Sequence, residues 1–152
     1  MALRERLANR KRPTATFALR IEDDTAARVA LVAAQDSKDP EAITAAQAAV
    51  DACYEVLHLT ALSPADWEEL VAQHPPTEQQ KKADKWCNMD TFVPALLAAC
   101  VAGEESEDEW ADYLTKGSLT FGEAAALTTA VFQLNQRIPD SWYPKGSTMT
   151  RS

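Results

Sequence analysis

Apolar residues alternate with polar ones near the start of the chain, then adopt helical spacing for most of its length. In Thr14-Ala15-Thr16-Phe17-Ala18-Leu19-Arg20-Ile21, apolar side chains fall on 15, 17, 19 and 21. That period of two predicts a half-buried strand. From Asp23-Asp24 to about Gln35 the period lengthens, placing Ala26, Val29, Ala30 and Ala33 on one face of a helix with acids at its positive end. Ser37-Lys38-Asp39-Pro40 reads as a turn in which Asp39 caps a second helix and Pro40 takes its first position. That helix carries Ile43, Ala46, Val50, Cys53, Tyr54 and Leu57 at spacings of three and four. Its end merges into residues 56–62, which fit a helix or a strand; a short strand from about residue 55 is expected. The N-terminal half thus predicts strand, helical hairpin, strand.

The second half is patterned as helices alone. Ser63-Pro64-Ala65-Asp66 is a helix start, after which Trp67, Leu70, Val71 and His74 share a face until Pro75-Pro76 stops it. Residues 77–89 are polar and are expected to form a mobile loop. Asp90 is the expected cap of a helix with Pro94 in its first turn and Phe92, Leu96, Leu97 and Cys100 along it. Ser106-x-x-Glu109 is a capping box before Trp110, Tyr113 and Leu114, with Gly117 at the end of that helix. Thr120-x-x-Glu123 is another, before Ala124, Leu127, Val131 and Leu134. Periodicity is lost from Ile138. The pattern predicts a mainly α (α+β) chain: a basic flexible arm over 1–13, one domain over 14–137 and a tail over 138–152. In that domain a small two-stranded sheet with a helical hairpin precedes a helical bundle.

Composition qualifies this picture. Ala accounts for 28 of 152 residues, whereas Leu, Ile, Val and Phe together make only 29. At about 19%, these large apolar residues sit at the margin below which a highly charged chain tends to stay unfolded. The domain is therefore expected to have a thin core and to be only marginally stable alone, or helped by a partner. No apolar run approaches the roughly 18 residues of a membrane span, and the N-terminus has charge without the apolar stretch of a secretory signal. Three cysteines, Cys53, Cys87 and Cys100, form neither an even set nor a C-x-x-C pair, which points to a reducing compartment. The net charge of −8 makes nucleic-acid binding by the whole domain unfavourable, although residues 1–13 carry five bases against one acid.

Catalytic and metal chemistry find little support. The two histidines, His58 and His74, stand sixteen residues apart, and no ligand pair has finger spacing. The acids Glu104, Glu105, Glu107, Asp108 and Glu109 crowd a helix start, where they are favourable, and lack the spacing and Gly of a calcium loop. Cys87 with His74 is the one conceivable nucleophile and base, but no feature depresses the thiol pKa. Phosphate-loop, dinucleotide, zinc-protease and serine-hydrolase motifs are absent. A non-catalytic chain without metal or cofactor is expected. More unusual are Trp67, Trp86 and Trp110, with Phe92 and Tyr113, in the central block. Trp67 and Trp110 read first as core, and Trp86, in the polar segment, as an interface anchor.

Two stretches carry a resemblance. They are Trp67-Glu68-Glu69-Leu70-Val71-Ala72-Gln73-His74-Pro75-Pro76-Thr77 and Trp86-Cys87-Asn88-Met89-Asp90-Thr91-Phe92-Val93-Pro94-Ala95-Leu96-Leu97-Ala98-Ala99-Cys100. Together with the strand-like Arg12-Pro13-Thr14-Ala15-Thr16-Phe17-Ala18-Leu19-Arg20-Ile21, they resemble the tail assembly chaperones of long-tailed bacteriophages of actinobacterial hosts, over about residues 12–136. Cys87, between the Trp and the Asn, departs from that family's pattern. The resemblance implies a morphogenesis factor in the host cytoplasm, absent from the mature virion. Such a factor binds the tape measure protein and keeps it soluble while the tail tube protein polymerises, and several copies or a homo-oligomer act on one client. It also implies a longer product of ribosomal frameshifting, for which Tyr143-Pro144-Lys145 offers a compatible codon string. The partner-binding residues expected on this basis are Trp67, Leu70, His74, Pro75, Pro76, Trp86, Asp90, Phe92, Pro94 and Leu96. The rival readings are a structural virion protein such as a head–tail connector or tail terminator, a regulatory adaptor using the basic arm on nucleic acid, and a hydrolase using Cys87.

Overall fold

The computed structural model describes residues 2–136. The expected tail over 138–152, with its frameshift site, lies outside the described residues. The chain is mainly α with one small antiparallel sheet, in the order α1 (Leu3–Ala8), β1 (Thr14–Arg20), α2 (Thr25–Ser37), α3 (Pro40–Asp51), β2 (Tyr54–Thr60), α4 (Pro64–Gln73), α5 (Glu78–Lys82), α6 (Met89–Cys100), α7 (Glu107–Thr115) and α8 (Phe121–Asn135).

Strand β1 pairs with β2 from Thr14 opposite Thr60 to Arg20 opposite Tyr54, with Phe17 opposite Leu57. The alternation read in the sequence is seen directly: Ala15, Phe17 and Leu19 are half-buried while their neighbours are exposed. The inward side chains of both strands pack on a core built around α6, whose Phe92, Leu96 and Leu97 are fully enclosed. Helices α4, α7 and α8 surround α6, and α8 contributes Leu127, Val131 and Leu134. Each such side chain moved out of water supplies about 1.5–3 kcal/mol, so this one helix concentrates much of the chain's limited apolar stock. Beyond β2, the Ala102 N–H donates to the His58 carbonyl at 2.9 Å, and Val101 bridges to Leu59, fastening the end of α6 to the sheet.

The helical hairpin of α2 and α3 packs chiefly on itself. Its inward face on α2 is Ala27, Leu31 and Ala34, not the expected Ala26, Val29, Ala30 and Ala33; Val29 and Val32 are exposed. In a helix so rich in Ala, several adjacent faces satisfy the period, and the single Leu decides which one turns inward. The hairpin's base is held by Asp24, which is only 4% exposed. The Tyr54 hydroxyl donates to Asp24 Oδ2 at 2.5 Å, Arg28 Nε donates to the same oxygen, and Arg28 Nη2 donates to the Tyr54 oxygen at 2.8 Å. Below this network, the Ile21 N–H donates to the Cys53 carbonyl at 2.8 Å.

Two further expectations are corrected, and the basic arm gains a local description. Residues 77–89 are not a mobile loop throughout: Thr77 and Gln80 form a reciprocal capping box that starts α5. Helix α6 is capped by Asn88 rather than Asp90, so Pro94 lies inside the helix rather than in its first turn. The missing N–H of Pro94 leaves the Asp90 carbonyl without its helical donor near the exposed end of the helix. Finally, residues 3–8 of the basic arm form a short helix with no buried residue. The capping boxes at Ser106 and Thr120 are present as read, and a Cβ on Gly117 would meet the Tyr113 backbone at 2.8 Å.

Candidate partner-binding site

The two stretches that carry the resemblance meet at the junction of α4, α5 and α6. Trp67 on α4 stacks on Trp86, with ring centroids 6.3 Å apart, and Phe92 meets both edge-on at 5.4 and 5.6 Å. Phe132 of α8 closes the cluster 5.9 Å from Trp67. Offset and edge-on arrangements of this kind satisfy the ring quadrupoles and hold each ring in place. Trp86 nonetheless remains 50% exposed. It is the one large aromatic surface of the cluster that is exposed among the described residues.

Hydrogen bonds set the backbone around it. The Asn88 N–H donates to the His74 carbonyl at 2.9 Å, and His74 Nδ1 lies 2.8 Å from Thr91 Oγ1. The Asn88 side-chain oxygen accepts from the Asp90 N–H at 3.2 Å and from Gln80 Nε2 at 3.1 Å. One residue therefore caps α6 and ties α5 to it. Asn88 and Gln80 were not among the expected site residues, although Thr77-x-x-Gln80 and an Asn just before an apolar helix are both visible signals.

The expected contact residues separate into two groups. Trp86, Pro75 and Asp90 are exposed, and Trp67, Leu70, His74 and Pro76 are half-buried around them. Phe92, Pro94 and Leu96 are buried, with Phe92 at 0% exposure, so they support this surface from beneath and cannot themselves touch a partner. The reason is the fold of α6: a helix enclosed on almost every side turns all of Phe92 to Leu97 inward. Trp110 is core, as its first reading had it.

Cys87 is also enclosed, its Sγ 3.5 Å from Met89 Sδ, and burial pushes its thiol pKa up. A buried thiol kept protonated is a poor nucleophile. Among the described residues no group of three or more His, Cys, Asp or Glu is placed to hold a metal ion, and no helix is long and apolar enough to cross a membrane.

A second concavity was not anticipated. An open groove of about 790 Å³ lies where the Arg20 end of β1 and the start of β2 face α7 and the turn leading into α8. Leu19, Leu57, Val101 and Trp110 contribute apolar surface to it, while Glu22, Asp23, Glu55, Glu105 and Glu123 stand against one base, Arg20. Its residues come from four separate parts of the chain, so no local pattern announces it.

Comparison with protein-family models, curated proteins and solved structures gave no match.

Proposed function

We propose that this chain is a non-catalytic bacteriophage tail assembly chaperone that binds the tape measure protein and keeps it soluble while the tail tube assembles. The reading rests on the sequence resemblance. The observation that supports it is the stacking of Trp67 and Trp86, one from each resembling stretch, into a half-exposed aromatic surface. Such a surface suits a long helical client with apolar faces, because Trp on a supported rim supplies contact area with little ordering cost. On this proposal the chain works in the host cytoplasm, is left out of the mature virion, and shares the client with the tube protein and a longer frameshifted form of itself.

Co-expression with the long helical reading frame presumed to lie just downstream tests the proposal. The expected result is soluble client recovered in a complex with this chain and insoluble client without it. Client that stays insoluble and fails to co-purify would overturn the reading. Stable presence of the chain in purified particles would instead favour a connector or terminator.

A further inference from the structure

We propose that the N-terminal helix of one copy docks in the acid-rimmed groove of a second copy, reciprocally, to make a two-fold dimer. The argument begins with α1, which has no buried residue in its own chain. Leu3 and Leu7, four apart and so on one helical face, are 68% and 55% exposed. Within α1, Arg4 and Arg6 stand against Glu5, a net +1; Arg10 and Lys11 follow in the link, and Arg12 is paired with Asp66 of its own chain. This is an amphipathic basic segment whose apolar face has no cover among the described residues.

The groove has complementary chemistry. Its five carboxylates and one guanidinium give a net −4 around the apolar side chains. Ile21, Val56 and Tyr113 at the groove are exposed, and Phe121, next to the groove residue Thr120, is 92% exposed.

The chain's own arm does not line this groove. The arm leaves from the Thr14 end of β1, whereas the groove lies at the Arg20 end. Seven strand residues put those ends about 20 Å apart. Arg12 is paired with Asp66 of α4 at 3.9 Å, and the Pro13 carbonyl accepts from the Ala61 N–H at 2.9 Å, which holds the arm's base at the far end. Residues 9–11 then span at most about 10 Å before the helix begins. A second copy whose β1 runs antiparallel about a two-fold axis brings each arm beside the other's groove. Reciprocal exchange closes the assembly at two copies, the commonest closed symmetry. It also sets +4 arms against bodies that carry −12 each once residues 1–13 are excluded from the total of −8.

The test is sedimentation equilibrium on the full chain, on a variant lacking residues 2–9, on Arg4→Glu with Arg6→Glu, and on Glu22→Lys with Glu55→Lys. All these changes fall on exposed positions, and far-UV circular dichroism checks that each variant is folded. The full chain is expected to be dimeric, with a dissociation constant that rises at least about tenfold as salt shortens the screening length from about 10 to 3 Å. Deletion, or either pair of charge changes, each of which takes its side of the contact (residues 1–13 or the groove) to a net charge of zero, is expected to give monomers. A monomeric full chain overturns the proposal, as does a dimer that survives loss of the arm. An arm-dependent dimer unaffected by the Glu22 and Glu55 changes overturns the groove as its seat. An arm that binds DNA while the protein stays monomeric overturns it in favour of a nucleic-acid role.

Discussion

Phe92 and Trp86 touch each other yet do different work, and substitution separates them. Phe92→Ala removes a fully enclosed ring beneath two tryptophans, so denaturant unfolding is expected to show a loss of about 3–5 kcal/mol. Trp86→Ala is expected to leave a folded protein that binds the client about 2 kcal/mol more weakly, measured by titration of the co-expressed complex. Unchanged client affinity in a folded Trp86→Ala protein would remove this surface from the binding site. Burial of the thiols gives a chemical check: Cys87 and Cys100, both with pKa pushed up by burial, are expected to resist iodoacetamide in the native state and to react after denaturation. Asp24 supplies a pH dependence. The Tyr54 hydroxyl, and after it the Arg28 guanidinium, hold its carboxyl below the ordinary value of 3.8. Its contribution to stability is therefore complete above that value and lost as the pH falls through the lower folded-state value. The stability gap between wild type and Asp24→Asn, followed from about pH 5 down to 2, is expected to close with acid.

Helix starts were the most legible elements, because a cap is local chemistry. Ser63, Ser106 and Thr120 each accept the backbone N–H three residues on, as their spacing implied. Thr120→Ala is expected to cost about 1 kcal/mol in a thermal or denaturant melt. Helix faces were less legible where Ala dominates. On α2 the sequence left several equivalent faces, and contact with α3 selected the one with Leu31. That hairpin, packed chiefly on itself and tied to the sheet through Asp24, Arg28 and Tyr54, forms a unit separate from the α6 core. Amide hydrogen exchange is expected to be faster along α2 and α3 than along α6, because the hairpin can open locally while α6 is released only by global unfolding. Equal protection would show that the hairpin and core unfold as one. The cap of α6 was misplaced by two residues because Asn88 and Asp90 are both good caps. Asn88 takes the role because its side-chain oxygen accepts both the Asp90 N–H and Gln80 Nε2 of α5.

For the molecule as a whole, the two proposed surfaces assign different parts of one chain to client and to self. If the aromatic surface at α4–α6 meets the client and the arm and groove join copies, as proposed, client binding is expected to survive deletion of residues 2–9. The alternation of β1, the caps and the spacing of apolar residues on α4, α7 and α8 settled the class of fold, since each depends on neighbours within about one turn or one pleat. The sequence by itself also determined that the core would be thin and gathered on a few large side chains, because composition limits what can be buried. Only the tertiary structure decided that Phe92, Pro94 and Leu96 lie inside while Trp86 stays half outside. It alone assembled a groove from residues as distant in the chain as Arg20 and Glu123. Exposure and shape depend on which elements cover one another, and that long-range choice is not encoded in any single local pattern.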